Sequence, residues 1–351
     1  MKILRSASLI GLAIALSLTA IFAVPAGIVS TSGGRALAQD ACDYPSETLQ
    51  IMAPAAPGGG WDTTAREIQR VLGEGVVDQS VEVFNVEGAG GTIGLAQLVS
   101  DNGGDPHTLM VMGMVMIGAI GLNQADVGLD TVTPIARLTG EYEVIVVPAD
   151  SEFQTLDDLI AAFQEDPGAI SWAGGSAGGT DHILIGLIAQ AVGVEPTAIN
   201  YIPYSGGGEA LAAILGGQVS AGVSGLGEWQ DQIIAGELRA LAISAPAAES
   251  GSGEMATPTA EELVIPTLQE QGVDVELANW RGIVAPPDLS EEQTACIVEM
   301  VQQMHDSEEW GATLETYGWQ DLFMAGPDFA DFLPGETERI NGILQSLGLI
   351  E

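Results

Sequence analysis

The sequence predicts an α/β protein built from two lobes with a cleft between them. Apolar, strand-like runs alternate with helix-like segments along the chain, and this alternation begins again after the run 144–148. Without its N-terminal segment 1–38 the chain still exceeds the size at which one hydrophobic core stops growing, roughly 250–300 residues, so two domains are expected. Strands and helices that alternate in this way form a mostly parallel sheet flanked by helices, and ligands bind at the carboxyl ends of its strands.

The first lobe is predicted to contain three strands and two helices before the crossing to the second lobe. The predicted strands are 49–53, 81–84 and 108–112, and the predicted helices are 63–72 and 95–99. Asp62 stands directly before the first helix, so it is expected either to be the N-cap or to accept a hydrogen bond from a hydroxyl or amine of a ligand. Later in the chain Ser290 and Gln293 have the spacing of a capping box, so a helix is expected to begin after Ser290.

The second lobe repeats the alternation over 144–278. Its predicted strands are 144–148, 170–173, 200–203, 220–223 and 240–244, and its predicted helices are 156–163, 182–192, 209–215 and 228–235. A surface loop is expected at 245–258, where Pro, Ser and Gly accumulate. The segment 278–284 is expected to cross back, so that 39–143 and 279–351 form the first lobe. Two lobes joined by two crossings make a hinged cleft.

Four glycine-rich segments each follow a strand-like run, and three of them lead into a clear helix-like pattern. The segments are 57–62, 88–94, 174–182 and 205–209. Glycine lets backbone N–H groups approach a ligand closely, and a helix N-terminus adds a partial positive charge. Each loop can therefore hold an anion without a basic side chain.

The charge balance limits the partners. The chain has 48 acidic residues against nine lysines and arginines, and its formal net charge is −39 at pH 7. Its only lysine is Lys2, so an anion site after the N-terminal segment must use backbone amides, hydroxyls or arginines. Nucleic acid and anionic membranes are unsuitable partners, because binding phosphate requires a basic face. The hydrophobic content of 46% indicates a folded protein, and we interpret the acidic surface as an adaptation to salt, which predicts a halophilic source.

The N-terminus has the anatomy of an export signal. Lys2 and Arg5 precede an apolar stretch, 9–29, and the small residues around Ala38 suit cleavage after that position. The alternative is that the stretch is retained as a membrane anchor. Either outcome predicts an exported protein, in the periplasm or at the outer face of the cell membrane.

The chain has two cysteines, Cys42 and Cys296. In an oxidising compartment they can form a disulfide, and the alternative is two unpaired thiols. Two cysteines and three scattered histidines offer no metal-ligand spacing, so neither a metal nor a cofactor is expected.

Several motifs together resemble one family. The segments 53–66, 85–94, 174–182 and 279–282 are similar, in the same order, to the substrate-binding proteins of tripartite tricarboxylate transporters, the TctC or Bug family. The resemblance implies a two-lobed fold of the periplasmic-binding-protein type (type II) and a monomeric receptor without enzymatic activity. It also implies capture of a small carboxylate, citrate-like tricarboxylates first, and delivery to the integral membrane subunits of the transporter.

The resemblance also implies ligand-binding positions on both lobes. On the first lobe they are Gly59, Gly60, Trp61, Asp62, Gly90 and Gly91, and on the second Ser176, Thr180, Asp181, His182, Tyr204, Ser205, Gly207 and Gly208. Some roles stay open at this level. Trp61 is either a pocket wall or a packing anchor, His182 is either a ligand contact or a residue that braces a helix start, and Arg281 either braces the hinge or meets the ligand.

The alternative function is a secreted serine hydrolase. Residues 174–178 satisfy the G-x-S-x-G pattern of a nucleophile elbow, with Ser176 as the nucleophile. Two features argue against it. The next helix is predicted to start only near Asp181, and the histidines that follow the serine are His182, which is too close in sequence, and His305.

Overall fold

The alternation of strands and helices folds into one mixed, curled β-sheet with helices on its faces. The structure is a computed structural model that describes residues 42, 44–204, 206–247 and 264–351. Its strands are β1 Leu49–Ala53, β2 Val81–Asn85, β3 Thr108–Gly113, β4 Thr133–Pro148, β5 Ser171–Gly174, β6 Asn200–Pro203, β7 Ala221–Gly225, β8 Leu238–Ile243, β9 Ala278–Ala285 and β10 Gln320–Ala325. The predicted α/β class is confirmed.

The sheet order is β2-β1-β3-β9-β4-β7-β5-β6, and β8 and β10 also pair with β4. The βα repeats give parallel pairs at both ends of this order, β2-β1-β3 and β7-β5-β6. The strands in the middle pair antiparallel, because β4 and β9 carry the chain across the sheet in opposite directions. The sheet is therefore mixed, with its parallel parts at the two ends.

The helices of the structure are α1 Gly60–Val71, α2 Thr92–Asp101, α3 Met114–Asn123, α4 Leu156–Glu165, α5 Thr180–Ala191, α6 Gly207–Leu215, α7 Leu226–Ile234, α8 Glu291–His305, α9 Glu308–Tyr317 and α10 Pro327–Ser346. The predicted capping box is confirmed, since the Ser290 side chain accepts from the Gln293 N–H and Gln293 reciprocates. All four glycine-rich segments follow a strand and lead into a helix, whereas the sequence predicts a clear helix after three of them.

β4 is the longest strand and takes part in both ends of the sheet. Its residues from Thr133 to Tyr142 pair with β9, and the partner of Tyr142 is Ala278. From Glu143 onward the same strand pairs with β7 and β8. The change of partner therefore falls between Tyr142 and Glu143, at the place where the sequence predicts the first crossing.

Two helices pack in ways that the sequence analysis did not predict. α3 is buried over most of its length and contains no charged residue, so it lacks the periodicity that identifies an amphipathic helix. α10 contacts α3 and β4, and its C-terminal end also contacts α5, where Gln190 donates to Ser346 and Leu347 lies against Gly186.

Cys42 and Cys296 are joined by a disulfide, which fastens the chain ahead of β1 to α8. Several predicted features lie outside the described residues. They are the export signal 1–38, most of the loop 245–258 and the predicted ligand residue Ser205.

Candidate functional site

The first glycine loop is held by the carboxylate of Asp62. This side chain is buried, and its Oδ2 accepts from the Gly58 N–H at 2.7 Å. Asn85 donates to Oδ1 at 2.8 Å and the Arg66 guanidinium contacts both oxygens. These partners, the Arg66 hydrogen bond first, lower the pKa of Asp62 to about 2.

The prediction that Asp62 is an N-cap is wrong. α1 begins at Gly60, its N-cap is Gly59, and Asp62 is the third residue of the helix. The helix starts early because the flexible glycines turn the chain into it, and the carboxylate then reaches back to the loop. Asp62 still stabilises the loop, although from inside the first turn.

The glycine loop 174–182, called the second loop below, is held by a carboxylate in a similar position. Asp181 is the second residue of α5, and its Oδ2 accepts from the Gly175 N–H at 2.7 Å. Asp181 is also hydrogen-bonded to a second acid, since the carboxyl group of Glu143 donates to it. Burial raises the pKa of Asp181 to about 6, although the hydrogen bonds from Glu143 and Gly175 act in the opposite direction.

Glu143 is the most deeply buried acid of the site, with 1% of its surface exposed. Burial, and then the charge of Asp181, raise the pKa of Glu143 well above its usual range, and Glu141 and Glu228 add to this effect. Its Oε2 atom is buried and has no partner among the described residues. Glu143 and Asp181 are therefore joined by a shared proton, whereas Asp62 is paired with an arginine.

His182 and Tyr201 support the second loop from behind. The two rings stack with centroids 4.0 Å apart, His182 Nδ1 accepts from the Gly178 N–H, and the Tyr201 hydroxyl donates to the Ser176 carbonyl. Burial lowers the pKa of His182 to about 4, so the ring is neutral at pH 7 and carries its proton on Nε2. The side chain thus braces the helix start, and a ligand contact stays a prediction.

The loop after β6 lies against the loop after β5. Tyr204 donates its N–H to the Gly174 carbonyl at 2.8 Å, and Gly206 donates to Gly175. At the start of α6, Gly207 has no room for a side chain, because the Glu228 carboxylate occupies the space that a Cβ would fill. Gly208 is exposed in the first turn of α6.

Trp61 and the glycine loop 88–94 lie against each other. A Cβ on Gly91 would lie 2.8 Å from Trp61 Cζ3 and 2.7 Å from Met116 Cε. Gly90 and Gly91 both have positive φ, +61° and +90°, so glycine is required there both sterically and conformationally. Trp61 is partly buried, by this contact and by packing against both large hydrophobic clusters of the core.

A buried ion pair joins the central strands beside the first loop. Arg281 on β9 donates to Glu141 Oε1 on β4 at 3.1 Å, and Trp319 Nε1 donates to the same oxygen at 2.6 Å. The guanidinium also lies over the Trp319 ring and beside Gly60. Sequence reasoning left the role of Arg281 open, and it missed Glu141, Glu143 and Glu228 because their partners are distant in sequence.

α3 makes close contact with the second loop. A Cβ on Gly118 would overlap the carbonyl oxygen of Gly178, so this glycine allows the helix and the loop to touch. Thr180, the first residue of α5 after this loop, is 3% exposed, and its hydroxyl has no partner among the described residues.

Replacing Gly118 with alanine is expected to lower the free energy of unfolding by about 1–3 kcal/mol, because the added methyl group forces α3 and the loop apart. Gly311 is the matched control, since it lies in α9 and a Cβ there meets nothing within 4 Å. Gly311→Ala should instead raise stability by about 0.5–1 kcal/mol. Urea unfolding of both variants measures the difference, and equal stabilities would show that the contact is absent in solution.

The arrangement around Ser176 does not form a nucleophile elbow. α5 begins four residues after Ser176, at Thr180, and the Ser176 side chain lies against Gly179. His182 Nδ1 is occupied by the Gly178 N–H. His305 contacts Asp306 and Asp321 through its two ring nitrogens.

Among the residues that the structure describes, no group of three or more His, Cys, Asp or Glu side chains is arranged to hold a metal ion. No helix in this part of the chain is long and apolar enough to cross a membrane.

This α/β fold, with glycine loops at the strand ends and two long central strands, is that of periplasmic solute-binding proteins. Solved structures share this fold. A TctC solute-binding protein from Polaromonas has a TM-score of 0.69 at 22% identity, over 87% of this chain and 100% of its own. MatC from Rhodopseudomonas palustris, solved with bound malate, has a TM-score of 0.66 at 23% identity, over 86% of this chain and 100% of its own.

Residues 64–349 match the family described as "Tripartite tricarboxylate transporter family receptor". The chain belongs to this family, as the resemblance implies. A relative, protein BugT from Bordetella pertussis, is 29% identical over 330 residues, which is 92% of this chain and 96% of BugT. A second relative, a UPF0065 protein from Pseudomonas sp. strain P51, is 28% identical over 313 residues, 89% of each chain.

Proposed function

We propose that this receptor captures a small carboxylate outside the cytoplasm and delivers it to the integral membrane subunits of a tripartite tricarboxylate transporter. The observation that carries the proposal is the set of four glycine loops, each at a strand end and each leading into a helix N-terminus. Free backbone N–H groups at such positions bind carboxylates through several charge-assisted hydrogen bonds.

The rest of the molecule supports an anionic ligand of small size. Arg66, Arg70 and Arg339 are held by acids one turn away on their own helices, so they do not form a basic face for a larger polyanion. Two structures of the same fold were solved with carboxylates, MatC with malate and another R. palustris protein with adipate, the latter at a TM-score of 0.68 and 22% identity. Citrate-like tricarboxylates stay our first choice, followed by dicarboxylates.

We propose that the ligand closes two lobes on each other. The first lobe is 39–143 with 279–351 and the second is 144–278, and the change of strand partners after Tyr142 supports this division. The hinge then lies in β4 near 141–147 and in β9 near 278–282. A ligand that contacts both lobes favours the closed form, because only that form makes both sets of contacts.

The export signal, the monomeric state and the halophilic source belong to the same proposal. Cleavage after Ala38 would release a receptor into the periplasm or onto the outer face of the membrane. The acidic surface favours a protein that is most stable at high ionic strength.

A small carboxylate should raise the melting temperature of the mature protein in high salt, because it binds the folded chain alone. At a ligand concentration of about 100 times Kd the added stability is about 2.7 kcal/mol. The measurement is a thermal-shift screen against citrate, tricarballylate, malate, succinate, aspartate and adipate.

Variants of Ser176 separate a receptor from a hydrolase. If the protein is a receptor, Ser176→Ala should reduce the rise in melting temperature caused by the ligand, and the parent protein should form no product from it. Ser100→Ala replaces an exposed serine on α2 and should leave the rise unchanged. Hydrolysis of an ester that is lost in Ser176→Ala would contradict the proposal. An absence of any shift would remove the carboxylate assignment and leave the fold and family in place.

A further inference from the structure

The site contains one arginine that is deeply buried and still has free donors. Arg281 is 7% exposed, and its Nη1 is engaged by Glu141. Its Nη2 and Nε atoms make no hydrogen bond to any described residue. The guanidinium is held in one orientation by Glu141 and by the Trp319 ring, 5.3 Å from its Cζ atom. Its open edge is therefore presented in a fixed direction.

That open edge lies at the N-terminus of α1. A Cβ on Gly60 would be 2.8 Å from Arg281 Nη2, so the guanidinium contacts the first residue of the helix. The first N–H groups of an α-helix have no partner within the helix. A carboxylate placed there would meet both these N–H groups and a planar guanidinium, which holds carboxylates through two parallel hydrogen bonds.

The other half of the molecule presents the opposite charge. Glu228, in the first turn of α7, places its carboxylate against Gly207 and is hydrogen-bonded to Ser224. Glu141, the partner of Arg281, has its Oε2 atom 3.0 Å from the position of a Cβ on Gly225, the N-cap of α7. Arg281, Glu141 and Glu228 therefore share one site, in which their charges interact. Asp181 and Glu143 add to the acidic side. A second carboxylate of a ligand would be repelled here, whereas a hydroxyl or an ammonium group could donate to Glu228.

We propose that Arg281 anchors one carboxylate of the ligand and that Glu228 selects a hydrogen-bond donor on the same molecule, so that the ligand class is hydroxy- or amino-carboxylates. This inference rests on the proposed function and narrows it. The carboxylate lies toward Gly60 and Arg281, and the hydroxyl or ammonium group lies toward Glu228 and Gly207. Citrate fits this class through its hydroxyl group, and tricarballylate, which is citrate without that hydroxyl, does not.

The test uses matched acids in isothermal titration calorimetry with the mature protein. Citrate is compared with tricarballylate, and malate and aspartate are compared with succinate. Each comparison adds one donor to an otherwise equal acid. A hydrogen bond to a charged acceptor is strong enough to change affinity by about tenfold or more. We expect the parent protein to prefer the acid with the donor by at least about that factor.

Variants assign the preference to the two residues. Glu228→Gln should weaken the preference, because a neutral amide oxygen accepts a weaker hydrogen bond than a carboxylate. The affinity for tricarballylate and succinate should be unchanged or higher, because the repulsion between carboxylates is removed. Glu237→Gln, an exposed acid just beyond the other end of α7, removes the same charge and should preserve the preference. Arg281→Gln should lower the affinity for every acid by about a hundredfold. Arg281→Lys keeps the charge without the planar fork, so its affinities should lie between those of the parent protein and those of Arg281→Gln.

The outcomes distinguish this inference from the function on which it rests. Equal affinities within each matched set would overturn it while leaving a carboxylate receptor. It would also be overturned if Glu228→Gln changed all affinities as Glu237→Gln does. If no acid bound to the parent protein, the proposed function itself would fail. Because glutamine keeps the size and shape of the glutamate side chain that lies against Gly207, Glu228→Gln is expected to leave the fold intact, which keeps the test decisive even if an Arg281 variant does not fold.

Discussion

Replacing Asp62 with alanine is expected to lower the free energy of unfolding by about 1–3 kcal/mol at pH 7, the usual cost of leaving a buried hydrogen-bond donor without its acceptor. The ion pair with Arg66 adds little to this cost, because the Arg66 side chain is 48% exposed. The variant leaves the Gly58 N–H and the Asn85 amide without their acceptor and removes the partner of Arg66. The loop that begins α1 then loses its fixed geometry, so carboxylate binding should weaken as well. Urea unfolding and the thermal-shift screen measure the two effects.

The pH dependence identifies the cause. The folded-state pKa of Asp62, about 2, lies below its ordinary value of 3.8. Its contribution to stability is therefore fully present above about pH 4 and is lost as the pH falls through 2. The difference between the parent protein and Asp62→Ala should shrink in that window. Asp78→Asn, an exposed acid, is the control, and a difference that did not change between pH 4 and pH 2 would show that folding does not lower the pKa of Asp62.

Asp62 and Asp181 both stabilise a glycine loop, but their charges are neutralised in different ways. Each carboxylate fixes a glycine loop by accepting a backbone N–H from it. Asp62 is neutralised by Arg66 near the surface, while Asp181 shares a proton with Glu143 in the interior. The first loop should therefore be sensitive only to strong acid, and the second to pH values nearer neutrality.

Local patterns in the sequence predicted much of the fold. The capping box at Ser290 is complete within four residues, so it could be identified without tertiary information. The strand–glycine–helix units were predicted for the same reason. α3 was missed because a helix buried on all sides has no polar face, and only the last part of β4 was predicted because Pro134 and Gly140 interrupt its pattern.

The glycine loops of the candidate site could be predicted, and the charges beside them could not. Arg281 meets Glu141 across 140 positions, and Glu143 meets Asp181 only because β4 and β5 lie on either side of β7. Such pairs follow from strand order, which no local pattern specifies. The role of Asp62 was misassigned for a smaller reason, because the glycines allowed α1 to begin before it.

Replacing Glu143 with glutamine is expected to stabilise the protein at neutral and alkaline pH. The folded chain keeps a proton on Glu143, because burial and Asp181 raise the pKa of this carboxyl well above its ordinary value of 4.5. The unfolded chain releases that proton near pH 4.5, so the stability of the parent protein falls as the pH rises toward the folded-state pKa. Within this window the loss is about 1.4 kcal/mol for each pH unit.

Glutamine keeps an N–H donor for Asp181 and does not titrate, so the variant avoids this loss. The advantage of Glu143→Gln over the parent should be small at pH 4 and should grow with each pH unit above 5. Asp181, with a folded-state pKa of about 6, adds a similar slope between about pH 4 and pH 6, and that slope should remain in the variant. Melting temperatures between pH 4 and pH 9 measure both slopes, with Glu299→Gln, an exposed acid on α8, as the control.

A Glu143→Gln protein whose stability fell with pH as steeply as the parent's would show that Glu143 is ionised in the fold. In that case the two carboxyl groups would not share a proton, and the second glycine loop would have to be held by other contacts.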